Sequence, residues 1–196
     1  DPSCVLAHTL SRTVATDGTP FGKVRRAGRP ARRMDGRRFA VRHLLSRNEL
    51  YNASMVVFRR SALPAAASYE GFRYAGDWYF WMLVALQGRV ATVFEPLNAF
   101  RRHAAATTSQ GERTGGLYEE VLRILPAVFG RMQVATPVRW ALEGKQLCRL
   151  HKARRHFERN TDFERLWSRW CEVYRFNLLR RAWYRIYGAL PDSMFF

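Results

Sequence analysis

Residues 72–88, FRYAGDWYFWMLVALQG, settle the fold class. From Asp77 onward the stretch is apolar nearly all round, and a helix of that kind must be buried rather than lie on a surface. It predicts a helix that opens at Asp77 and packs against a sheet, with Gly88 after its last turn as a C-terminal cap. Residues 90–100, VATVFEPLNAF, return as a strand that Pro96 bends or ends. Upstream, ASMVVF at 53–58 is a compact β-branched run between polar residues and predicts a buried strand. CVLA at 4–7 leads a further strand over 5–14, closed by a turn at Asp17-Gly18. Residues 23–38, KVRRAGRPARRMDGRR, lack apolar periodicity and carry Gly28, Pro30 and Gly36, so they read as a solvated loop. Phe39, Val41, Leu44, Leu45 and Leu50 suit a short helix over 39–50, and the Pro64 region suits a short turn or helix start.

Past Thr107 the character changes. Residues 109–116 read as a polar, Gly-rich linker, followed by helices over 117–129 and 137–155, with Pro137 suited to a first turn. Residues 163–187 place Phe163, Leu166, Trp167, Trp170, Tyr174, Leu178, Ala182 and Ile186 at helical spacing, with Arg between them. The chain therefore divides into an α/β piece up to about residue 108 and an all-helical tail.

Hydrophobic content of 47% with six Trp excludes a disordered chain of 196 residues. A net charge of +17 invites an anionic partner such as nucleic acid, lipid or a phosphorylated sugar. The cations are almost all Arg, with Lys only at 23, 145 and 152, and an Ala-rich, Lys-poor chain is also what a GC-rich genome encodes. Cys4, Cys148 and Cys171 have no metal-ligand spacing and read as reduced thiols of a cytoplasmic protein. No apolar run reaches the ~18–20 residues of a membrane span. The chain opens on Asp1-Pro2, from which we expect the natural start to lie upstream.

Three segments in fixed order, NASMVVFRRSAL (52–63), FRYAGDWYFWMLVALQG (72–88) and VFEPLNAFRRH (93–103), together resemble the second half of the catalytic domain of family 2 glycosyltransferases. That family has a strand ending in Phe-Arg-Arg-Ser, an acidic helix start and a strand ending in Arg-Arg-His. The opening CVLAHTLSRTVATDG is similar to its mid-domain strand and turn, so the resemblance extends over about residues 1–110. It implies an α/β fold: the C-terminal portion of a GT-A (nucleotide-diphospho-sugar transferase) mixed sheet, followed by an α-helical extension. The boundaries are a partial, acceptor-side catalytic domain over 1–108 and a helical extension over 109–196.

Inverting glycosyl transfer needs a base to take the proton of the acceptor hydroxyl as it attacks the anomeric carbon. The resemblance implies that Asp77 is that base. A helix N-terminus favours the ionised carboxylate, although Asp is also a favoured N-cap, worth ~1 kcal/mol. Gly76 stands where the family usually has an acidic residue. Trp78 offers a face for stacking on a sugar ring, whereas Trp81 reads as core. Asn52 and Ser54 fall where the family lines its sugar pocket, or are plain strand-edge polarity. Arg101 and Arg102 can neutralise a departing diphosphate or be solvated. The resemblance puts His103 near the metal–diphosphate, while a surface His needs no special role.

Family members bind a nucleotide-diphospho-sugar donor through an N-terminal half whose Asp-x-Asp motif holds a divalent cation, Mg or Mn. Asp-x-Asp occurs nowhere in this chain. The expectation is a metal-dependent full-length enzyme acting on a glycan or lipid-linked acceptor, and no transfer by these residues alone. Trp at the margin of the basic 163–187 helix fits peripheral contact with the inner face of the cytoplasmic membrane, or packing onto the rest of the protein. The rival class is a basic nucleic-acid- or anionic-membrane-binding protein without catalysis. No helix-turn-helix, zinc or RNA-binding motif supports specific nucleic-acid recognition.

Overall fold

The computed structural model describes residues 1–24, 27–46, 48–65, 69–101 and 107–174. These fall into two compact units: Asp1–Gly71 with Gly76–Ala106, and Phe72–Ala75 with the residues from Thr107 on. The first is mixed α/β, and its four-stranded sheet has the order β2-β4-β1-β3.

β1 (Cys4–Val14) is the long inner strand, burying Val5, Leu6, His8, Ser11 and Val14. It runs parallel to β4 (Arg89–Arg101) from Cys4 opposite Arg89 to Val14 opposite Arg101. Pro96 does not end β4. It sits opposite Leu10, where the register slips, because proline has no N–H to give the ladder. The Asp17-Gly18 turn forms as expected, with Gly18 at φ +88° and the Asp17 side chain accepting from the Thr19 N–H at 2.9 Å.

Two strand expectations for this unit need correction. The end of the supposed 23–38 loop is an edge strand, β2 (Arg32–Asp35), antiparallel to β4. Its one apolar residue, Met34, is buried opposite Val90, while Arg32, Arg33 and Asp35 remain exposed. The supposed buried strand over 53–58 is a 3-10 turn, Ala53–Met55, followed by the three-residue edge strand β3 (Val56–Phe58), with Val57 75% exposed. Asn52 causes the difference: its side-chain oxygen captures the Ser54 N–H at 3.0 Å and winds the chain before the ladder can start.

Asp35 caps the next helix, its Oδ1 accepting from the Arg38 N–H at 3.0 Å. α1 (Gly36–Phe39) passes directly into a π-helical stretch, Ala40–Leu45. α2 (Gly76–Ala85) buries Trp78, Tyr79, Trp81, Met82, Leu83, Val84 and Ala85 against β1 and α1, as its apolar run requires. Burying each large side chain contributes about 1.5–3 kcal/mol.

Gly36 and Gly88 are glycines because of close crossings. A Cβ on Gly36 would overlap the carbonyl oxygens of Ala85 and Gly88, and its N–H donates to Gly88 O at 2.9 Å. A Cβ on Gly88 would lie 2.6 Å from Val5 Cγ1. Gly88 is therefore a packing glycine, not the left-handed cap expected. Gly36→Ala is expected to lower stability by about 1–3 kcal/mol or more, the usual cost of overpacking. An unchanged denaturant midpoint would contradict the crossing.

The second unit is helical: α3 (Thr107–Thr114), α4 (Gly116–Met132), α5 (Thr136–Ala153) and α6 (Asn160–Val173). The expected 109–116 linker is thus mostly α3. Gly111 and Gly116 both lie against the Tyr74 ring, where an added Cβ would approach to 2.6 and 2.5 Å. Gly115, at φ +81°, turns the chain between α3 and α4. Pro137 does lie in the first turn of α5. In α6, Phe163, Leu166 and Trp170 are buried, so the described part of the 163–187 stripe packs within this unit. Leu178, Ala182 and Ile186 lie outside the described residues.

Candidate functional site

A short turn over residues 86–88 joins α2 to β4, and α2 packs against β1. The start of α1 meets the chain just past α2, where the Gly36 N–H donates to Gly88 O at 2.9 Å, and Leu44 O, in the π-helical stretch that follows α1, accepts the Trp78 indole N–H at 3.0 Å.

Asp77 lies inside the first turn of α2 rather than at a capping position outside it. Its Oδ1 accepts from the Trp78 N–H at 2.6 Å. The residue stays open to solvent, yet the protein around its carboxyl withholds part of the water that a carboxylate needs. That desolvation raises its pKa above the ordinary value, against the lowering effect of the Trp78 N–H. The expectation from the helix terminus alone had the opposite sign, and desolvation wins. Among the described residues no cation pairs with Asp77.

Trp78 does not offer a stacking face. It is 6% exposed, and its one polar atom is committed to Leu44. Trp81 is core, as expected. Asn52 is half-buried and holds the Ser54 N–H, and this turn packs beside β1 and β4. The Asn52 acceptor is thereby occupied, while Ser54 is exposed. Arg101 is exposed at the last position of β4. Arg102 and His103 lie outside the described residues.

Several polar groups on the parallel pair escaped the sequence reading. His8 Nδ1 lies 3.2 Å from Thr9 O and Nε2 lies 2.9 Å from Thr92 Oγ1. A carbonyl only accepts, which puts a proton on Nδ1 and lets Nε2 accept from the Thr92 hydroxyl. Farther along, Asn98 Nδ2 donates to Ser11 Oγ at 2.7 Å, and Ser11 Oγ donates to Asn98 O at 3.3 Å. Tyr51 meets Phe100 edge-on at 5.1 Å. The signal available was a polar residue at positions where a buried strand should be apolar, His8 and Ser11 in CVLAHTLSRTV.

Two shallow concavities lie elsewhere. One, of about 500 Å³, is lined by Ala31, Arg32, Arg33, Arg89, Ala91 and Val93. The other, of about 720 Å³ in the helical unit, is lined by His151, Lys152, Arg154, Arg155 and Asn160. Asp77 lines neither. Arg42 has its pKa lowered by desolvation and then by the neighbouring Arg38 and Arg32 charges, so basic groups crowd one another here. Among the described residues no three His, Cys, Asp or Glu side chains converge, so the donor set for a divalent ion is not met there. No helix among them is long and apolar enough to cross a membrane.

No family model, curated protein or solved structure matches the chain.

Proposed function

We propose that the chain is the acceptor-side part of an inverting glycosyltransferase of the family 2 type. It would act between a nucleotide-diphospho-sugar donor and a glycan or lipid-linked acceptor, with Asp77 as base. One observation carries this reading. Asp77 is a solvent-open carboxylate of raised pKa, on a helix whose other residues are mostly core. A carboxylate of raised pKa is the stronger base, and a catalytic base works best as its pKa nears the working pH.

In this reading the Asp77 carboxylate takes the acceptor hydroxyl proton while that oxygen bonds to the anomeric carbon. The bond from that carbon to the diphosphate breaks with inversion, and the electron pair leaves on the diphosphate. A divalent cation, which the Asp-x-Asp motif of a donor-binding half would hold, would supply charge compensation for the leaving group; that motif does not occur in this chain. Arg101, exposed at the end of β4, can add to it. The deciding experiment is a transfer assay with Mg or Mn and a panel of nucleotide-diphospho-sugars, with and without an Asp-x-Asp donor-binding half supplied. Transfer is expected only with that half present and Asp77 intact. Transfer by the 196 residues alone would sink the claim that the site is divided.

A second reading draws on Arg32, Arg33 and Arg89 around the 500 Å³ concavity. Those guanidinium groups suit a phosphate-bearing polymer bound without catalysis. A DNA affinity that falls steeply with salt, as counterion release demands, would favour it. For peripheral membrane contact the described part of α6 gives little support, because its apolar stripe is already buried. Flotation with anionic vesicles tests whether the 163–187 segment binds them nonetheless.

A further inference from the structure

We infer that the concavity of about 720 Å³ in the helical unit, lined by His151, Lys152, Arg154, Arg155 and Asn160, is a binding site for a phosphate group. The inference is independent of Asp77 and of the transferase reading. It starts from residues 149–160, RLHKARRHFERN, where five Arg or Lys and two His stand against one Glu. The end of α5 favours some of this, because its unpaired carbonyls carry partial negative charge. Only His151 and Lys152 lie in that last turn, however, and Arg154 and Arg155 fall in the 3-10 turn beyond it. The carboxylates close by in the chain are already engaged. Glu158 pairs with Arg113 at 3.1 Å, Asp162 with Arg165 at 3.7 Å and Glu164 with Arg154 at 3.1 Å. Among the described residues no carboxylate pairs with Lys152 or Arg155.

The lining side chains offer donors and few acceptors. Lysine and arginine only donate. Asn160 Oδ1 already accepts from Arg154 Nε at 3.3 Å, which leaves the Asn160 NH₂ to give. Arg155 Nε donates to His156 Nε2 at 3.2 Å, and its two terminal nitrogens remain for a ligand. Arg154 is held in place by Asn160, by Glu164 and by the Phe163 ring 5.3 Å beneath its guanidinium. A side chain fixed in advance loses little freedom when a ligand arrives. The matching ligand has acceptors only and more than one negative charge. A phosphate ester meets both demands, with three acceptor oxygens and a charge of about −1.5 to −2 at pH 7. A lone carboxylate, with two oxygens and one charge, leaves donors unmet. The volume lies in the range of about 300–1,000 Å³ that holds small molecules. The phosphate belongs to a soluble phosphorylated molecule or to a lipid headgroup, and neither needs the apolar stripe of α6, which is buried.

The test titrates the full chain with inorganic pyrophosphate, followed by calorimetry and by the ring resonances of His151. Saturable binding that moves those resonances is expected. Lys152→Gln and Arg155→Gln, both at exposed positions, should each weaken it about tenfold, the worth of one charge-assisted hydrogen bond. Arg131→Gln makes the same change of charge at the exposed end of α4 and should leave binding unchanged. Equal weakening by Arg131→Gln overturns the proposal, since the net charge of the chain would then be acting rather than a site. So does the absence of saturable binding. Succinate bound as tightly as pyrophosphate also overturns it, and makes the concavity a surface for acidic peptides. Duplex DNA bound through Lys152 and Arg155 without any binding of pyrophosphate overturns it in favour of a polymer. Flotation with vesicles of equal parts phosphatidylcholine and phosphatidate separates the two sources. Retention that Lys152→Gln abolishes and pyrophosphate displaces assigns the phosphate to a lipid headgroup. Pyrophosphate binding without retention assigns it to a soluble molecule.

Discussion

On the proposed function, and with an Asp-x-Asp donor-binding half supplied, Asp77→Asn is expected to lower kcat for sugar transfer by about a hundred- to ten-thousand-fold, the usual contribution of a positioned base. The same substitution should raise the melting temperature at neutral pH. Desolvation holds the Asp77 pKa above its ordinary value in the fold. A carboxyl with a raised folded pKa binds its proton more tightly when folded. Its stabilising contribution is complete below the unfolded pKa of about 3.9 and is lost as pH rises through the folded pKa. At neutral pH the charge is then a net cost, which Asn removes while keeping an oxygen to accept the Trp78 N–H. The gain in melting temperature should shrink as pH falls through the folded Asp77 pKa. The wild-type rate should fall through the same window, above the range of an ordinary aspartate. An Asn variant of unchanged rate would rule out Asp77 as base. One that melts lower at neutral pH would contradict the desolvation.

The second large effect is structural. In α4, Glu120→Ala strips the backbone N–H groups of Arg73, Tyr74 and Ala75 of their acceptor at once, one of them fully buried. Unsatisfied donors of this kind cost about 1–3 kcal/mol each, offset by no longer burying a charge. A net loss of about 3–5 kcal/mol is expected, read as a lower urea midpoint by far-UV circular dichroism. A midpoint within error of wild type would mean that water replaces the carboxylate without loss.

What the sequence made legible was what local pattern dictates. α2 could be read because its apolar residues leave no polar face, and Gly18 because a turn after a strand favours it. β2 could not be read from RRMD, because an edge strand with three exposed residues needs only one apolar anchor, Met34. Residues 109–116 looked like a linker because glycine and polar residues usually mean one. Their glycines answer instead to the Tyr74 ring, a partner remote in sequence. Trp78 was misread for the same reason, since the Leu44 carbonyl that holds its N–H lies 34 residues away. The place of Asp77 at the start of α2 was legible from the apolar run that follows it, whereas the direction of its pKa shift depends on packing that no local pattern encodes.

The Glu120 carboxylate also has a meaning in time. Arg73 and Glu120 are 47 residues apart in the chain. At a synthesis rate of about 5–20 residues per second, residues 73–75 wait about 2–9 s for the carboxylate that will hold them. During that interval three adjacent amides are without their final acceptor, and the Tyr74 ring is without the glycines that receive it. The helical unit, although most of it is made last, thus completes a segment made well before it. A nascent chain released before α4 emerges would carry residues 73–75 still without the carboxylate that holds them.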